Sequence, residues 1–294
     1  MLALDTAKTN PGSRFRLRRR DRKENRPLPP VRANAGIEIA YRRKLVRLVD
    51  DMHRSINWWV RAAYRANEPA IAQDAPPDAS GFGPEDSAAA LQRTMAELIK
   101  RWRKRFDDAA DDLAKHFARD VSQRSDASLR AILKRAGFTV EFRLTATQRD
   151  ILKATINQNV SLIKSIPSQY LTQVEGSVMR SVQTGRDLAS LTKDLQDHYG
   201  VTKRRAAFIA RDQNNKATAA LNRRRQVELG IKEAVWMHSS AGKEPMPTHL
   251  KAGRERQKYE IAKGWFDPAV GKYILPGELP NCRCTSRAIL SGFA

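Results

Sequence analysis

The sequence predicts an α+β protein that is mostly α-helical, with long N-terminal and central helices followed by a small C-terminal α+β domain carrying a short sheet. Three observations support this. Apolar residues recur every three or four positions through most of the first 230 residues, the spacing of one buried helix face. After Gly230 the β-branched and turn-forming residues rise, as short strands and hairpins require. A basic arm and a Pro/Gly/Ala-rich stretch interrupt the helical pattern where no packed core can form. The expected organisation is a flexible basic arm over 1–36 and an N-terminal helical region over 37–145 with a mobile linker at 67–86. A central helical region over 146–200 and a C-terminal domain over 201–294 follow.

The elements follow in order. Up to Arg32 the arm holds ten Lys or Arg against three Asp or Glu, a net of +7. Pro27, Pro29 and Pro30 exclude a continuous helix there. From Ile37 to Ala66, Tyr41, Leu45, Leu48, Met52, Ile56, Trp59 and Ala63 form one apolar stripe. Its aromatic end, Trp58, Trp59 and Tyr64, has the composition of an interface. A second helix is expected from Ser87 to Ala118, and a short one from Ser128 to Arg135 ended by Gly137. In the second helix the acidic cluster Asp107, Asp108, Asp111 and Asp112 follows Arg103, Lys104 and Arg105 by one turn, so surface ion pairs account for it better than a metal. Phe138, Val140 and Phe142 alternate as a short strand does. Thr147 is placed to cap a third helix, with Asp150 three residues on. Pro167 is expected to break that helix and Gly185 to close the next. A short helix from Asp187 to Tyr199 should stop at Gly200, and Thr202 should cap a last one running to Leu229. IKEAVWM, KYIL and CRCTSRAI then read as strands.

The chain has 294 residues and a formal charge of +22, from 54 basic and 32 acidic residues. That excess points to a polyanionic partner, nucleic acid before an anionic membrane surface. In the arm, Arg14, Arg16, Arg18, Arg19, Arg20, Arg22 and Lys23 are the residues expected to neutralise phosphates; the alternative is an idle tail. No run approaches 18 apolar residues, so no membrane span is expected. The N-terminus has no apolar core for a secretory signal. The two cysteines, Cys282 and Cys284, stand one residue apart, which is no disulfide framework. Arg223, Arg224 and Arg225 fall on different sides of a helix and form no single clamp, whereas Arg204, Arg211 and Lys216 line one edge.

The C-terminal third carries the most specific pattern. IARDQ lies in the last helix and Trp236 on a strand. Pro247, Thr248 and His249 come next with Gly253 after them, then Pro-Gly-Glu-Leu-Pro-Asn-Cys-Arg-Cys at 276–284. In this order and spacing they resemble the Mu F-like minor head proteins of tailed bacteriophages, the phage head morphogenesis family, over roughly residues 200–290. The residues carrying the resemblance are Arg211, Trp236, His249, Gly253, Pro276, Gly277, Asn281, Cys282, Arg283 and Cys284. It implies a minor structural protein of the phage head, made in the bacterial host cytoplasm. The partners it implies are the portal, capsid or scaffold proteins and double-stranded DNA bound without sequence preference. The implied role supports head assembly and DNA packaging or ejection. One departure is Met246, where family members often carry arginine; Lys243 or Arg254 could take its place.

Two chemical readings of this region remain beside that one. Cys282, Cys284, His249 and His238 match zinc in ligand number and type, although their spacing fits no common zinc module. Otherwise the cysteines are small buried residues and His249 orders the loop, so no resident cofactor is the first expectation and zinc the alternative. His249, Arg283, Glu278 and Arg211 are residue types of a metal-free nuclease or toxin-like enzyme, but no catalytic spacing accompanies them. The expectation is therefore a non-enzyme, with a nucleic-acid-processing enzyme centred on His249 as the alternative. A cellular basic nucleic-acid-binding protein is the third reading, without any common recognition signature.

Overall fold

The computed structural model describes residues 27–66, 87–184, 188–240 and 244–290, together with the backbone of 13–17. In chain order the elements are β1 (Ser13–Leu17), α1 (Ala35–Ala66), α2 (Ser87–Arg135), β2 (Phe138–Phe142), α3 (Ala146–Gln183) and α4 (Leu188–Glu228). They continue with β3 (Glu233–Met237), α5 (Pro247–Arg254), β4 (Lys258–Glu260), β5 (Trp265–Asp267), β6 (Lys272–Ile274) and β7 (Thr285–Ile289). The expected fold class, mostly α with a small C-terminal α+β part, is the one observed. The linker at 67–86 and the side chains of Arg14, Arg16, Arg18, Arg19, Arg20, Arg22 and Lys23 lie outside the described residues.

The chain divides into two compact units. One comprises Ala40–Ala114 and Gln158–Ala210, and is built of helix alone. Its core takes Leu45, Val49, Met52, Ile56 and Val60 from α1 and Leu91, Met95, Trp102 and Phe106 from α2. Ile163, Ile166, Tyr170 and Val174 come from α3, and Leu191 and Leu195 from α4. Several polar side chains within this core are paired. The Tyr41 hydroxyl donates to Asn159 Oδ1 at 3.0 Å, and His53 Nδ1 lies 2.8 Å from the Tyr170 hydroxyl. His53 also stacks on Tyr199, whose hydroxyl donates to Asp50. Lys164 pairs with Asp107 and Lys104 with Asp108, as the ion-pair reading of that acidic cluster expects.

Several boundaries differ from the sequence expectation. The buried stripe of α1 runs Tyr41, Leu45, Val49, Met52, Ile56, Val60 and Tyr64. Val49, Val60 and Tyr64 therefore replace Leu48, Trp59 and Ala63, each one position along. At these steps two adjacent residues are apolar and the pattern alone does not choose between them. Trp58 and Trp59 are left exposed, while Tyr64 is buried. The helix α2 continues through 119–127, because Val121 and Ser125 keep its face buried and no breaker intervenes. The helix α3 runs through Pro167. Proline removes one ladder bond, and the hydroxyls of Ser165 and Ser168 bond the carbonyls of Leu162 and Lys164 beside it. The helix α4 runs through Gly200, and the Thr202 hydroxyl bonds the His198 carbonyl instead of capping. The N-terminal hydroxyl of α3 is that of Thr145, which accepts from the Gln148 amide at 3.2 Å, rather than that of Thr147.

The other unit comprises Met1–Ile39, Lys115–Asn157 and Arg211–Ala294. Strands β1 and β2 pair antiparallel, β4-β3-β7 form an antiparallel three-stranded sheet, and β5 and β6 form a hairpin. The expected strands at 231–237, 272–275 and 282–289 correspond to β3, β6 and β7; β4, β5 and α5 were not anticipated. The core gathers Leu129, Leu133, Phe138, Val140, Leu229, Ile231, Trp236, Tyr259, Ile274 and Leu290. The arm is not flexible along its whole length. Ser13–Leu17 is a strand, Leu28 and Val31 are buried, and the Leu28 amide donates to the Ala288 carbonyl at 2.8 Å. Arg287 adds bonds to the carbonyls of Pro27 and Leu28. The prolines at 27–30 thus mark an extended segment seated on the edge of β7.

The three consecutive arginines of α4 do part company, and each is used inside this unit. Arg223 donates to the carbonyls of Ile261 and Ala262. Arg224 pairs with Glu228. Arg225 is nearly fully buried and forms a two-pronged bond with Asp126, at 2.9 and 2.8 Å, with further bonds to Glu228 and the Arg143 carbonyl. Such a buried fork requires every donor to be matched. It fixes α2, the start of α3 and α4 within the unit.

Candidate functional site

Within the second unit, α5 and the loop leading into β7 bring His249, Cys282 and Cys284 together. All three are buried and their ligand-type atoms lie within 4.8 Å of one another. His249 Nδ1 is 3.5 Å from Cys282 Sγ and 3.9 Å from Cys284 Sγ. On the other side of the ring, Nε2 lies 3.3 Å from Asp267 Oδ2. Trp236 packs edge-on against the imidazole with ring centroids 4.9 Å apart.

Local sequence explains each placement. Pro247 starts α5, where a missing amide costs nothing, and His249 follows within the first turn facing inward. Gly253 lets α5 pass close to the end of β3: a Cβ there would stand 2.4 Å from His238 Cβ and 2.9 Å from its backbone nitrogen. Gly277 turns with φ of 85° and its Cα side faces Ala219 of α4. Asn281 holds φ of 59°, a left-handed conformation that asparagine tolerates. Two neighbours on α4 support that turn. Asp212 accepts the Asn281 amide at 2.8 Å, and Arg211 Nη2 donates to Asn281 Oδ1 at 3.2 Å. Asp212 is held in turn by Lys216 at 2.8 Å. IARDQ and PNCRC, far apart in sequence, are thus two halves of one clamp that sets both cysteines against His249.

The electrostatics follow from burial and close pairing. The Cys284 thiol donates to Cys282, and this bond, against burial and with help from His249, brings the Cys282 thiol down to about 4. The same bond and burial push Cys284 up. Burial works to lower the His249 pKa, but Cys282 and Asp267 outweigh it and raise it. This is the behaviour of a linked thiol–imidazole–carboxylate set.

Not every expected site residue belongs to the set. His238 stands outside the three-ligand group; its Nδ1 accepts from the Ser240 amide at 3.1 Å, a local turn. Cys282 and Cys284 precede β7 instead of lying on it, so loop geometry, not strand alternation, aims both at His249. Glu278 accepts from the Leu275 amide across its own turn and is exposed. Arg211 is engaged with Asn281, and Lys216, expected on the same edge, with Asp212. Arg283 lines a small cavity beside His249, together with His238, Glu244, Met246 and Asn281. Of the nuclease residue types, His249 and Arg283 line this cavity, Arg211 bonds Asn281 at its edge, and Glu278 is not among its lining residues. Arg254 is exposed in the last turn of α5, and Lys243 lies outside the described residues.

Sequence reasoning missed Asp267 and Asp212. Asp267 is buried, accepting from the Ala269 amide and the Thr248 hydroxyl as well as facing His249. Followed directly by Pro268, it reads as an ordinary turn residue. Asp212 sits in a polar helix segment where nothing distinguishes it from a solvated carboxylate.

Residues 172–287 match the family described as Phage Mu protein F like protein. Over these residues the chain is similar to the phage Mu F-like family. The match begins earlier than the resemblance read from the sequence, taking in the last turns of α3. The chain is also 31% identical, over 271 residues, to an uncharacterized protein of Haemophilus influenzae (strain ATCC 51907 / DSM 11121 / KW20 / Rd). That alignment covers 90% of this chain and 56% of the relative, so the chain spans about half the length of the curated relative it matches. No solved structure matches the chain. The Mu F-like region contains the whole clamp, from Arg211 to Cys284, together with α5 and Asp267.

The close approach at Gly253 makes a prediction of sign. Gly253→Ala must push α5 from the backbone of His238, and overpacking of this kind costs about 1–3 kcal/mol. Gly200→Ala, in the interior of α4 with its nearest contact a flexible Arg204 tip at 3.6 Å, should gain about 0.5–1 kcal/mol. Urea unfolding midpoints of the two variants should move in opposite directions. A wild-type midpoint for Gly253→Ala would contradict the packing described.

Proposed function

We propose that this protein is a minor head protein of a tailed bacteriophage that serves head morphogenesis. The observation that carries the proposal is the Mu F-like match over 172–287, which encloses the complete His249 clamp. The finer role we propose is association with the portal or the capsid interior and non-specific contact with packaged double-stranded DNA, in support of assembly and of DNA packaging or ejection. Scaffold protein is a further partner during assembly.

Two features support the finer role. The charge of +22 is far above what internal pairing uses, even though the arginines at 223–225 are spent inside the fold. Arg42, Arg43, Lys44 and Arg47 are exposed on α1, and residues 1–26 carry a formal net charge of +6. Trp58 and Trp59 form an exposed edge-to-face pair, 62% and 44% accessible, with Arg101 near the Trp59 ring. Aromatics and arginine of this kind dominate protein interfaces, so this end of α1 is the docking surface we assign to another head protein.

A role without catalysis is the reading that the site supports better. His249 is 2% accessible and its ring nitrogens face the cysteine sulfurs and Asp267, a placement that serves packing more readily than general-base chemistry. In the enzyme alternative, His249→Ala would abolish cleavage of RNA or DNA that the wild-type protein performs.

Two measurements test the proposal. Removing the gene from its phage should leave few normal, DNA-filled heads by electron microscopy, with recovery when the protein is supplied in trans. Unchanged head yield and DNA content would refute a morphogenetic role. DNA binding should be sequence-independent and steeply salt-dependent. Deleting residues 1–26, and sparing the seated segment that begins at Pro27, should flatten the plot of log K against log salt by about 0.9 for every phosphate that the arm no longer neutralises. An unchanged slope would show that the arm does not touch the DNA.

A further inference from the structure

We propose that His249, Cys282 and Cys284 bind one zinc ion through Nδ1 and the two thiolates, with the fourth coordination position opening into the adjoining cavity. Nothing in the head-morphogenesis reading requires a metal, and the inference stands on geometry alone.

The distances fit the ion. With Zn–S near 2.3 Å and Zn–N near 2.0–2.1 Å, a tetrahedral centre places each sulfur about 3.6 Å from the nitrogen. The two observed separations are 3.5 and 3.9 Å. A neutral imidazole nitrogen has one in-plane lone pair and accepts one linear hydrogen bond. Two sulfurs gathered about that single atom give the arrangement that a shared metal needs.

The surroundings complete the pattern. Metal-bound histidine characteristically gives its second ring N–H to a carboxylate, which fixes the tautomer and the ring. Asp267 stands on Nε2 and is itself anchored by the Ala269 amide at 2.9 Å and the Thr248 hydroxyl at 3.2 Å. With Asp267 on the Nε2 side, Nδ1 is the nitrogen that faces both sulfurs. Two thiolates with an imidazole select zinc over magnesium or calcium. The cavity beside the three ligands has a volume of about 50 Å³, and a water needs only ~10–15 Å³ of such space. A water therefore fits as fourth ligand, with Arg283, Glu244 and His238 around it. Binding would tie α5 to the Cys-Arg-Cys loop, reinforcing the clamp that Asp212 and Arg211 make from α4.

The test uses the full-length protein, purified under reducing conditions and freed of metal with a chelator. Titration with Zn2+ should bind about one ion per chain, and Co2+ in its place should give a thiolate-to-cobalt charge-transfer band with tetrahedral visible bands. Cys282→Ser and Cys284→Ser should each weaken that band. Asp267→Asn should keep the band at saturation while lowering metal affinity about 10–100-fold, a split that a merely structural carboxylate would not produce. A folded, reduced wild-type chain showing no thiolate–cobalt band would overturn the proposal, and that arm depends on no variant. A band surviving the double exchange of both cysteines would place the metal elsewhere and overturn it equally.

Discussion

The C-terminal module depends on the placement of His249. Its ring is wedged between two sulfurs of one loop, a carboxylate of β5 and the edge of Trp236 of β3. Burying a ring with two polar nitrogens is costly unless polar groups face them, and here the sulfurs face Nδ1 while Asp267 lies on the Nε2 side. That requirement constrains everything around it. The loop at 276–284 must turn at Gly277 and Asn281 so that both sulfurs face Nδ1. Strand β5 must end with Asp267 against Nε2. Gly253 must lack a side chain so that α5 can lie against the end of β3. The helix α4 must present Arg211 and Asp212 to fasten the loop. Change any one and the others lose their reason.

The same logic separates two uses of arginine. A count of charge treats every basic residue as available to a polyanion. Arg223, Arg225 and Arg287 instead saturate backbone carbonyls or buried carboxylates within the second unit. These hold segments with few apolar residues of their own, including the extended stretch at 27–34. Other basic residues stay exposed, among them Arg42, Arg43, Lys44 and Arg47 on α1 and Lys100, Arg103 and Arg105 on α2. The charge count alone therefore overstates what is available to a partner.

Much of the fold was legible because helical periodicity is a local property. The helical stretches, the short strand at 138–142 and the strands near 233, 272 and 285 all announced themselves. Boundaries were not legible, because Pro167 and Gly200 act as breakers only when nothing else holds the helix. Buried faces on both sides of each carry the helix through. In α1 the choice between Leu48 and Val49, or Trp59 and Val60, is made by the packing partners, which a single helix does not encode. At the candidate site, His249, Cys282 and Cys284 stood out because such residues are rare in this chain. His238 was grouped with them on type alone and proves to serve a turn. Asp267 and Asp212, which orient the histidine and the loop, were invisible because an aspartate's meaning lies in what faces it.

The central claim is that a Mu F-like region on a basic helical chain marks a component of the phage head. The most direct measurement is quantitative mass spectrometry of heads and proheads purified through successive density gradients, comparing this chain with the portal and shell proteins. The account predicts that the chain stays with the particles at a constant, low ratio to the portal through every gradient. Loss of the chain from the particle fractions, with all of it left among free proteins, would contradict it.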